Sequence, residues 1–206
     1  MSSIAPDGST VSHPIFWETA YQQGRTGWDL GGPAPAVAHF LKSAQRPAAG
    51  RTAVLGCGRG HDARAFASEG FSVVGFDFAP SAIAESQAAT AAAGLSVEFV
   101  QADIFALPSK YDGTFDYVVE HTCFCAIDPT RRREYVDIVW RLLRPEGELI
   151  GVFFAHGRPG GPPFTTDAKE VREMFGERFT IESLETAVSI ESRRGQELFG
   201  RFRRSE

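Results

Sequence analysis

A glycine-rich segment, residues 54–62, has the residue types of a nucleotide-binding turn. Gly56, Gly58 and Gly60 would let the backbone approach a ligand closely, and a helix behind them would offer unpaired N–H groups. A dinucleotide fingerprint needs one more glycine, where this chain has His61. Asp62 would repel a pyrophosphate but could hold the α-amino group of a methionine moiety, or it could simply complement the helix dipole.

Two further carboxylates follow apolar runs at positions that could complete a nucleoside site. Asp77 comes about 20 residues after the glycines, where it could accept hydrogen bonds from both ribose hydroxyls. It could also cap the helix that begins at Pro80. Asp103 could accept a hydrogen bond from an adenine amine while Ile104 packs against the ring. The glycine-rich segment, Asp77 and Asp103 each follow an apolar run, and together they predict a site for a nucleoside cofactor.

The elements that must position these residues alternate between strand and helix. Short apolar strands separated by helices are typical of a parallel sheet covered on both faces. The predicted strands are 51–55, 71–77, 96–101, 115–120, 148–155, 178–184 and 196–203, the last two antiparallel. The predicted helices are 14–23, 33–42, 61–68, 80–93 and 129–143. This order predicts a doubly wound α/β fold with a mostly parallel seven-stranded sheet, whose ligand lies beyond the carboxyl ends of the strands.

Length and composition fit one globular domain. The chain has 206 residues, of which 43% are hydrophobic and 23% charged, ordinary values for such a domain. Residues 1–13 are polar and lack a signal-peptide pattern, so we expect a disordered N-terminus. We expect residues 14–206 to form the domain, with 14–45 as a helical N-terminal segment. Because no apolar run approaches the roughly 20 residues of a membrane helix, we expect a cytoplasmic protein without a membrane partner.

Charge and cysteine content exclude other classes of function. A net charge of −5 argues against nucleic-acid binding, which needs a concentrated basic surface. The arginines at 193, 194, 201, 203 and 204 predict a solvated strand face. Three cysteines are too few for a disulfide framework, and Cys123 and Cys125 without a partner cluster favour packing over zinc binding, so we expect no metal. The expected partner is a small molecule, and the expected state is a monomer.

The glycine turn, Asp77 and Asp103 in this order resemble the class I methyltransferases that use S-adenosylmethionine. The resemblance is closest to the thiopurine S-methyltransferase superfamily, in its branch of thiol, thiocyanate and halide methyltransferases, and covers the chain from about Phe16 to its end. It is carried also by Trp17, Tyr21, Trp28, and the runs 125–129 and 160–164. It implies a Rossmann-like fold with an N-terminal lid. It also implies methyl transfer to a small sulfur nucleophile (thiol, hydrogen sulfide or thiocyanate) or a halide, with release of S-adenosylhomocysteine.

The resemblance also assigns candidate site residues. The family's cofactor contacts correspond to Trp17, Trp28, Gly56, Asp77, Asp103, Ile104 and Glu120 or His121, to which we add Tyr21, Gly58, Asp62 and Phe78. The candidate substrate contacts are Trp28, Phe124 and Arg158, of which Arg158 could steer an anion or be a solvated loop residue. Plant relatives have an Asp-Tyr pair where this chain has Glu120-His121, a difference that bears on substrate specificity.

Methyl transfer from a sulfonium requires alignment of the nucleophile and exclusion of water. A thiol with a pKa of ~8.5 is partly ionised near neutrality, and thiocyanate is already an anion, so a base is optional. His121 is the candidate base because imidazole titrates near neutral pH, although it could only position ligands. The alternatives are a methyltransferase for another small O or N acceptor and a non-catalytic module that binds S-adenosylmethionine.

Overall fold

The computed structural model describes residues 10–205, which are built around a seven-stranded sheet. The strands follow the order β3-β2-β1-β4-β5-β7-β6, with β7 antiparallel to both β5 and β6 and the other pairs parallel. Their bounds are β1 Arg51–Leu55, β2 Ser72–Asp77, β3 Glu98–Gln101, β4 Phe115–His121, β5 Leu143–Phe154, β6 Phe179–Thr186 and β7 Glu197–Arg204. The predicted doubly wound α/β fold, with its antiparallel last pair, is confirmed.

Helices cover both faces of this sheet, as the apolar strands require. They are α1 Pro14–Gln22, α2 Pro35–Lys42, α3 His61–Ser68, α4 Pro80–Ala92, α5 Arg132–Leu142 and α6 Ala168–Phe175. Leu55, Phe76 and Val118 belong to a core cluster with α5 and α6, whereas Val54 and Val119 belong to another with α2 and α3. Consecutive residues of one strand therefore pack into two different cores, one on each face of the sheet. Within residues 10–205, no helix combines the length and hydropathy of a membrane span.

Helix α6 was not predicted from the sequence, although its signals are present. Asp167 caps the helix by accepting the N–H of Glu170 at 2.8 Å, and Val171 and Phe175 are buried one turn apart. Strand β5 also begins earlier than the predicted residue 148, because Leu143 pairs with Phe115 ahead of an irregularity in the register.

Of residues 1–13, which the sequence predicts to be disordered, the structure describes residues 10–13, while residues 1–9 lie outside the described part of the chain. Val11 is buried and packs against Phe16. Its carbonyl oxygen accepts a hydrogen bond from the indole Nε1 of Trp17 at 2.8 Å. Contacts with the residues of α1 therefore begin before the helix itself.

The order of the strands in the sheet indicates where a ligand binds. Strand β1 pairs with β2 on one side and with β4 on the other, so the direction of strand addition reverses there. In open α/β sheets such a reversal leaves a crevice at the carboxyl ends of the strands, where ligands bind. The crevice here lies between the turns that follow Leu55 and His121.

Candidate active site

A cavity of about 750 Å³ lies at this crevice, within the usual size range for small-molecule sites. The turns after four successive strands in the sheet contribute to its wall. They place there the predicted residues Gly56, Gly58, Asp77, Phe78, Ile104 and His121. The N-terminal segment supplies Trp17, Tyr21 and Trp28. The structure therefore brings these predicted residues together around one cavity.

The glycine turn and Asp77 hold one another in position. Asp77 is 8% exposed and accepts the N–H of Gly58 at 2.8 Å and the N–H of Ala79 at 2.9 Å. It thus supports the start of α4 as well as lining the cavity. Gly58 has a φ of +53°, and a Cβ there would lie 3.0 Å from the hydroxyl of Tyr21. Burial raises the pKa of Asp77, while the amide N–H groups oppose this shift.

Three aromatic side chains from the N-terminal segment form what we call the aromatic wall: Trp17, Tyr21 and Trp28. Trp28 packs edge-on against Trp17 and Tyr21, with ring centroids 5.5 and 5.7 Å apart. Edge-to-face pairs of this kind stabilise packing by about 0.5–1.5 kcal/mol each beyond the area they bury. Burial raises the pKa of Tyr21, so its hydroxyl stays neutral. The aromatic wall is therefore an apolar surface that carries one neutral hydroxyl group, that of Tyr21.

The N-terminal segment is tied to the turns around the cavity by polar contacts. Glu18 in α1 accepts hydrogen bonds from the N–H of Ser81 at 3.0 Å and from the hydroxyl of Ser81 at 2.6 Å. Because Ser81 lies in the first turn of α4, the side chain of Glu18 caps that helix from a different element. Asp29 pairs with Arg59 of the glycine turn. The segment is thus anchored both beside the aromatic wall and on the glycine turn.

Asp62 and His121 form a hydrogen-bonded pair inside the cavity wall. One carboxylate oxygen of Asp62 accepts from His121 Nδ1 at 2.7 Å, and the other accepts the N–H of Ala34 at 2.8 Å. Asp62 lines the cavity as predicted, and each of its oxygens has a partner within the protein; its contact with the amino group of a methionine moiety stays a prediction. Burial disfavours the charged imidazole, but the attraction and hydrogen bond of Asp62, together with the charges of Glu197 and Glu120, raise the pKa of His121.

Glu120 and Phe124, both predicted as site residues, are buried in the core and do not line the cavity. Because strand side chains alternate between faces, Glu120 points away from the side occupied by His121. It is fully buried and binds the N–H of Phe124 at 2.9 Å and the hydroxyl of Tyr135 at 2.5 Å. Phe124 packs in the core between Tyr135 and Phe153. The structure therefore does not bring Glu120 and Phe124 to the cavity wall where the predicted cofactor and substrate roles would place them.

Buried Glu120 should make stability depend on pH. Burial raises its pKa to about 7, although the bonds from Tyr135 and Phe124 oppose the shift. The folded state then binds more protons than the unfolded state between about pH 4.5 and 7, so the free energy of unfolding should fall by up to about 3 kcal/mol as pH rises through this range. The variant Glu120→Gln, which resembles the protonated acid, should lose most of this dependence.

Urea unfolding of both proteins at pH 5, 6.5 and 8 would measure this effect. We expect similar stability at pH 5 and a more stable variant at pH 8. A constant difference between wild type and Glu120→Gln at all three pH values would contradict the raised pKa of Glu120.

Asp103 and Arg158 lie at the edges of the site. Asp103 caps a short helical turn by accepting the N–H of Phe105 at 2.8 Å. It is not among the cavity-lining residues, whereas Ile104 and Phe105 are. Arg158 is exposed on the rim and donates to Gln196 at 2.8 Å. Of the predicted adenine site, the apolar residues Ile104 and Phe105 thus lie in the cavity wall, whereas the carboxylate of Asp103 lies next to it in the chain.

Arg193 was expected on a solvated face but is a buried part of the cavity wall. It donates to Glu197 at 3.1 Å and to the carbonyl oxygen of Trp28 at 3.1 Å, and its guanidinium lies 5.1 Å from the ring centroid of Phe154. Arg194, its neighbour in the chain, is exposed and pairs with Glu191. Nothing in the local sequence distinguishes these two arginines, since the burial of Arg193 depends on residues far away in the chain.

Cys123 and Cys125 also line the cavity, which sequence reasoning did not predict. Both are buried, and burial raises the pKa of both thiols, that of Cys125 to about 12. They are therefore neutral near pH 7. A neutral thiol behaves as a small apolar side chain, so the predicted packing role agrees with their position.

Comparison with known proteins identifies the family. The model of the thiopurine S-methyltransferase (TPMT) family matches residues 12–205. Probable thiol methyltransferase 2 of Arabidopsis thaliana is 35% identical over 92% of this chain and 84% of its own. Thiocyanate methyltransferase 1 of Brassica oleracea is 36% identical over 91% of this chain and 84% of its own.

A solved structure has the same fold. The 1,6-didemethyltoxoflavin-N1-methyltransferase of Burkholderia thailandensis, solved with S-adenosylhomocysteine, gives a TM-score of 0.74 at 23% identity, covering 94% of this chain and 87% of that one. The family match spans nearly all of the residues that form the sheet and the cavity. The chain therefore belongs to the thiopurine S-methyltransferase family of methyltransferases.

Proposed function

We propose that this protein transfers the methyl group of S-adenosylmethionine to a small sulfur nucleophile (a thiol, hydrogen sulfide or thiocyanate) or to a halide ion. One observation carries the proposal: the glycine turn, Asp77 and the aromatic wall enclose a single cavity. They do so in a chain 35% and 36% identical to a probable thiol methyltransferase and a thiocyanate methyltransferase.

The residues present fit this cofactor. Asp77 is a buried carboxylate at the cavity wall, with lone pairs left for ribose hydroxyls. Ile104 and Phe105 offer apolar surface to an adenine ring, and the hydrogen-bonding role of Asp103 toward that ring remains a prediction. The absence of a side chain at Gly56 and Gly58 leaves room beside the turn for a methionine moiety. When bound, S-adenosylmethionine supplies an electrophilic methyl group.

The chain's own residues would then align an acceptor and exclude water. The N-terminal segment, with its aromatic wall, is suited to act as a lid, since it carries Trp17 and Trp28 over the cavity. Cys125, Ile127 and Phe154 extend the apolar lining, which suits a small polarisable nucleophile better than a strongly hydrated one. Arg158 at the rim would attract an anion.

A panel of acceptors tests this function. We expect S-adenosylhomocysteine and the matching methylated product to form with at least one of methanethiol, sulfide, an aromatic thiol, thiocyanate or iodide. Catechol and a primary amine serve as O and N acceptor controls. Turnover of only the controls would show a different acceptor class, and binding of S-adenosylmethionine without turnover of any acceptor would show a binding module.

A further inference from the structure

The hydrogen-bonded side chains of Asp62 and His121 both line the cavity, where they can take part in the reaction itself. We infer that the two residues form a proton-accepting pair, so that the enzyme can methylate a thiol that enters with its proton; this inference rests on the proposed function. Asp62 is then a positioning residue, which acts through His121. The substrate class assigned is a neutral thiol or hydrogen sulfide, in addition to acceptors that are already anions.

The geometry fixes which nitrogen of His121 can meet a ligand. Asp62 accepts from Nδ1 at 2.7 Å, which places the proton of the neutral imidazole on Nδ1 and the lone pair on Nε2. Nε2 is buried and has no hydrogen-bond partner among residues 10–205. The His121 side chain is 10% exposed and lines the cavity. Because buried polar atoms are nearly always paired, the unpaired nitrogen of this cavity-lining side chain is the atom that a ligand would meet.

The second oxygen of Asp62 keeps the pair in place. It accepts the N–H of Ala34 at 2.8 Å, which comes from the segment between the aromatic wall and α2. The carboxylate therefore cannot rotate away from His121 without losing a buried hydrogen bond. The N-terminal segment thus orients the imidazole as well as covering the cavity.

The charges around His121 favour its protonated form. Asp62 approaches from α3, Glu197 from β7 and Glu120 from the same strand, β4, while Arg193 is paired with Glu197. These carboxylates outweigh the burial that disfavours an imidazolium, and the pKa of His121 is raised above its ordinary value of 6.5. A base whose pKa lies closer to the ~8.5 of a thiol accepts its proton more readily.

The proposed step balances in atoms and charge. The S–H bond of the acceptor breaks and its proton moves to Nε2 of His121, where Asp62 stabilises the resulting imidazolium. A sulfur electron pair of the acceptor forms the new carbon–sulfur bond with the methyl group. The electron pair of the broken sulfonium bond stays on the departing sulfur, which becomes that of S-adenosylhomocysteine. Thiocyanate brings no proton and does not need this transfer.

The variant Asp62→Asn tests the pair. Its amide oxygen can still accept from Ala34, but its NH₂ group would donate to Nδ1 and force the imidazole proton onto Nε2. General-base catalysis accounts for about 10²–10⁴-fold in rate, so methanethiol turnover should fall by about that factor at pH 7 while thiocyanate turnover changes far less. Asp137→Asn, in an exposed ion pair with Arg178, is the matched control and should behave as wild type.

A measurement without turnover gives a second readout. Proton titration of the labelled histidines by NMR, with His121→Gln used to assign the signal, should show a pKa above 6.5 in wild type and a lower one in Asp62→Asn. Equal loss of both acceptors in a folded Asp62→Asn that binds S-adenosylmethionine would overturn the inference, as would an unchanged His121 titration. Wild-type turnover of thiocyanate but of no thiol would overturn it and leave the proposed function intact. Failure of every sulfur and halide acceptor would overturn both.

Discussion

Replacement of Asp77 with alanine is expected to weaken the binding of S-adenosylmethionine by at least about 10²-fold. A hydrogen bond to a charged group contributes about 1.5–3 kcal/mol, so the loss of two ribose contacts corresponds to roughly 10²–10⁴-fold in affinity. The loss also frees the N–H of Gly58, which Asp77 holds at 2.8 Å. Isothermal titration calorimetry of the purified variant would measure the change in affinity.

Two controls separate ribose binding from support of the turn. Asp77→Asn keeps an oxygen acceptor for one of the amide N–H groups but is a poorer acceptor for two hydroxyls, so it should retain the fold and still bind weakly. Asp112→Ala, in a partly exposed ion pair with Arg141, should bind as wild type. Unchanged affinity in a folded Asp77→Ala protein would disprove the ribose assignment.

Arg193→Met should lower the free energy of unfolding by about 3–5 kcal/mol, the usual cost of removing one partner of a buried ion pair. Methionine fills similar volume but leaves Glu197, which is 2% exposed, without its cation. The carbonyl oxygen of Trp28 loses its donor as well. Urea unfolding with tryptophan fluorescence would measure the loss in stability.

The neighbouring arginine provides the matched control. Arg194→Met removes an exposed pair with Glu191 and should cost less than about 1 kcal/mol, as surface ion pairs do. The double variant Arg193→Met, Glu197→Leu should recover part of the stability lost in Arg193→Met, because it leaves no buried charge unpaired. Equal small effects of Arg193→Met and Arg194→Met would show that the buried pair contributes little.

The sheet and the glycine turn could be predicted because their signals are local. The short strand β1 followed by glycines specifies both an element and its end, and the carboxyl ends of neighbouring parallel strands must meet at one edge of the sheet. Helix α6 had equally local signals in the Asp167 cap and in the spacing of Val171 and Phe175. It was missed although the sequence contained what was needed to find it.

The positions of Glu120 and Phe124 outside the cavity could not be predicted for a different reason. Position along β4 was read correctly, but Glu120 and His121 are neighbours, and only one of two consecutive strand side chains can face the cavity. The partners of Asp62 could not be predicted at all. Ala34 precedes it by 28 residues and His121 follows it by 59, and no residue type or spacing links the three.

The bond between Arg193 and the carbonyl oxygen of Trp28 joins residues that are 165 positions apart. At roughly 5–20 residues per second on the ribosome, Trp28 is made about 10 to 30 s before its partner. During that time the aromatic side chains of the N-terminal segment lack part of their final surroundings. Trp28 is therefore made early, but its carbonyl oxygen gains this donor only after Arg193 has been made, and the cavity wall is incomplete until then.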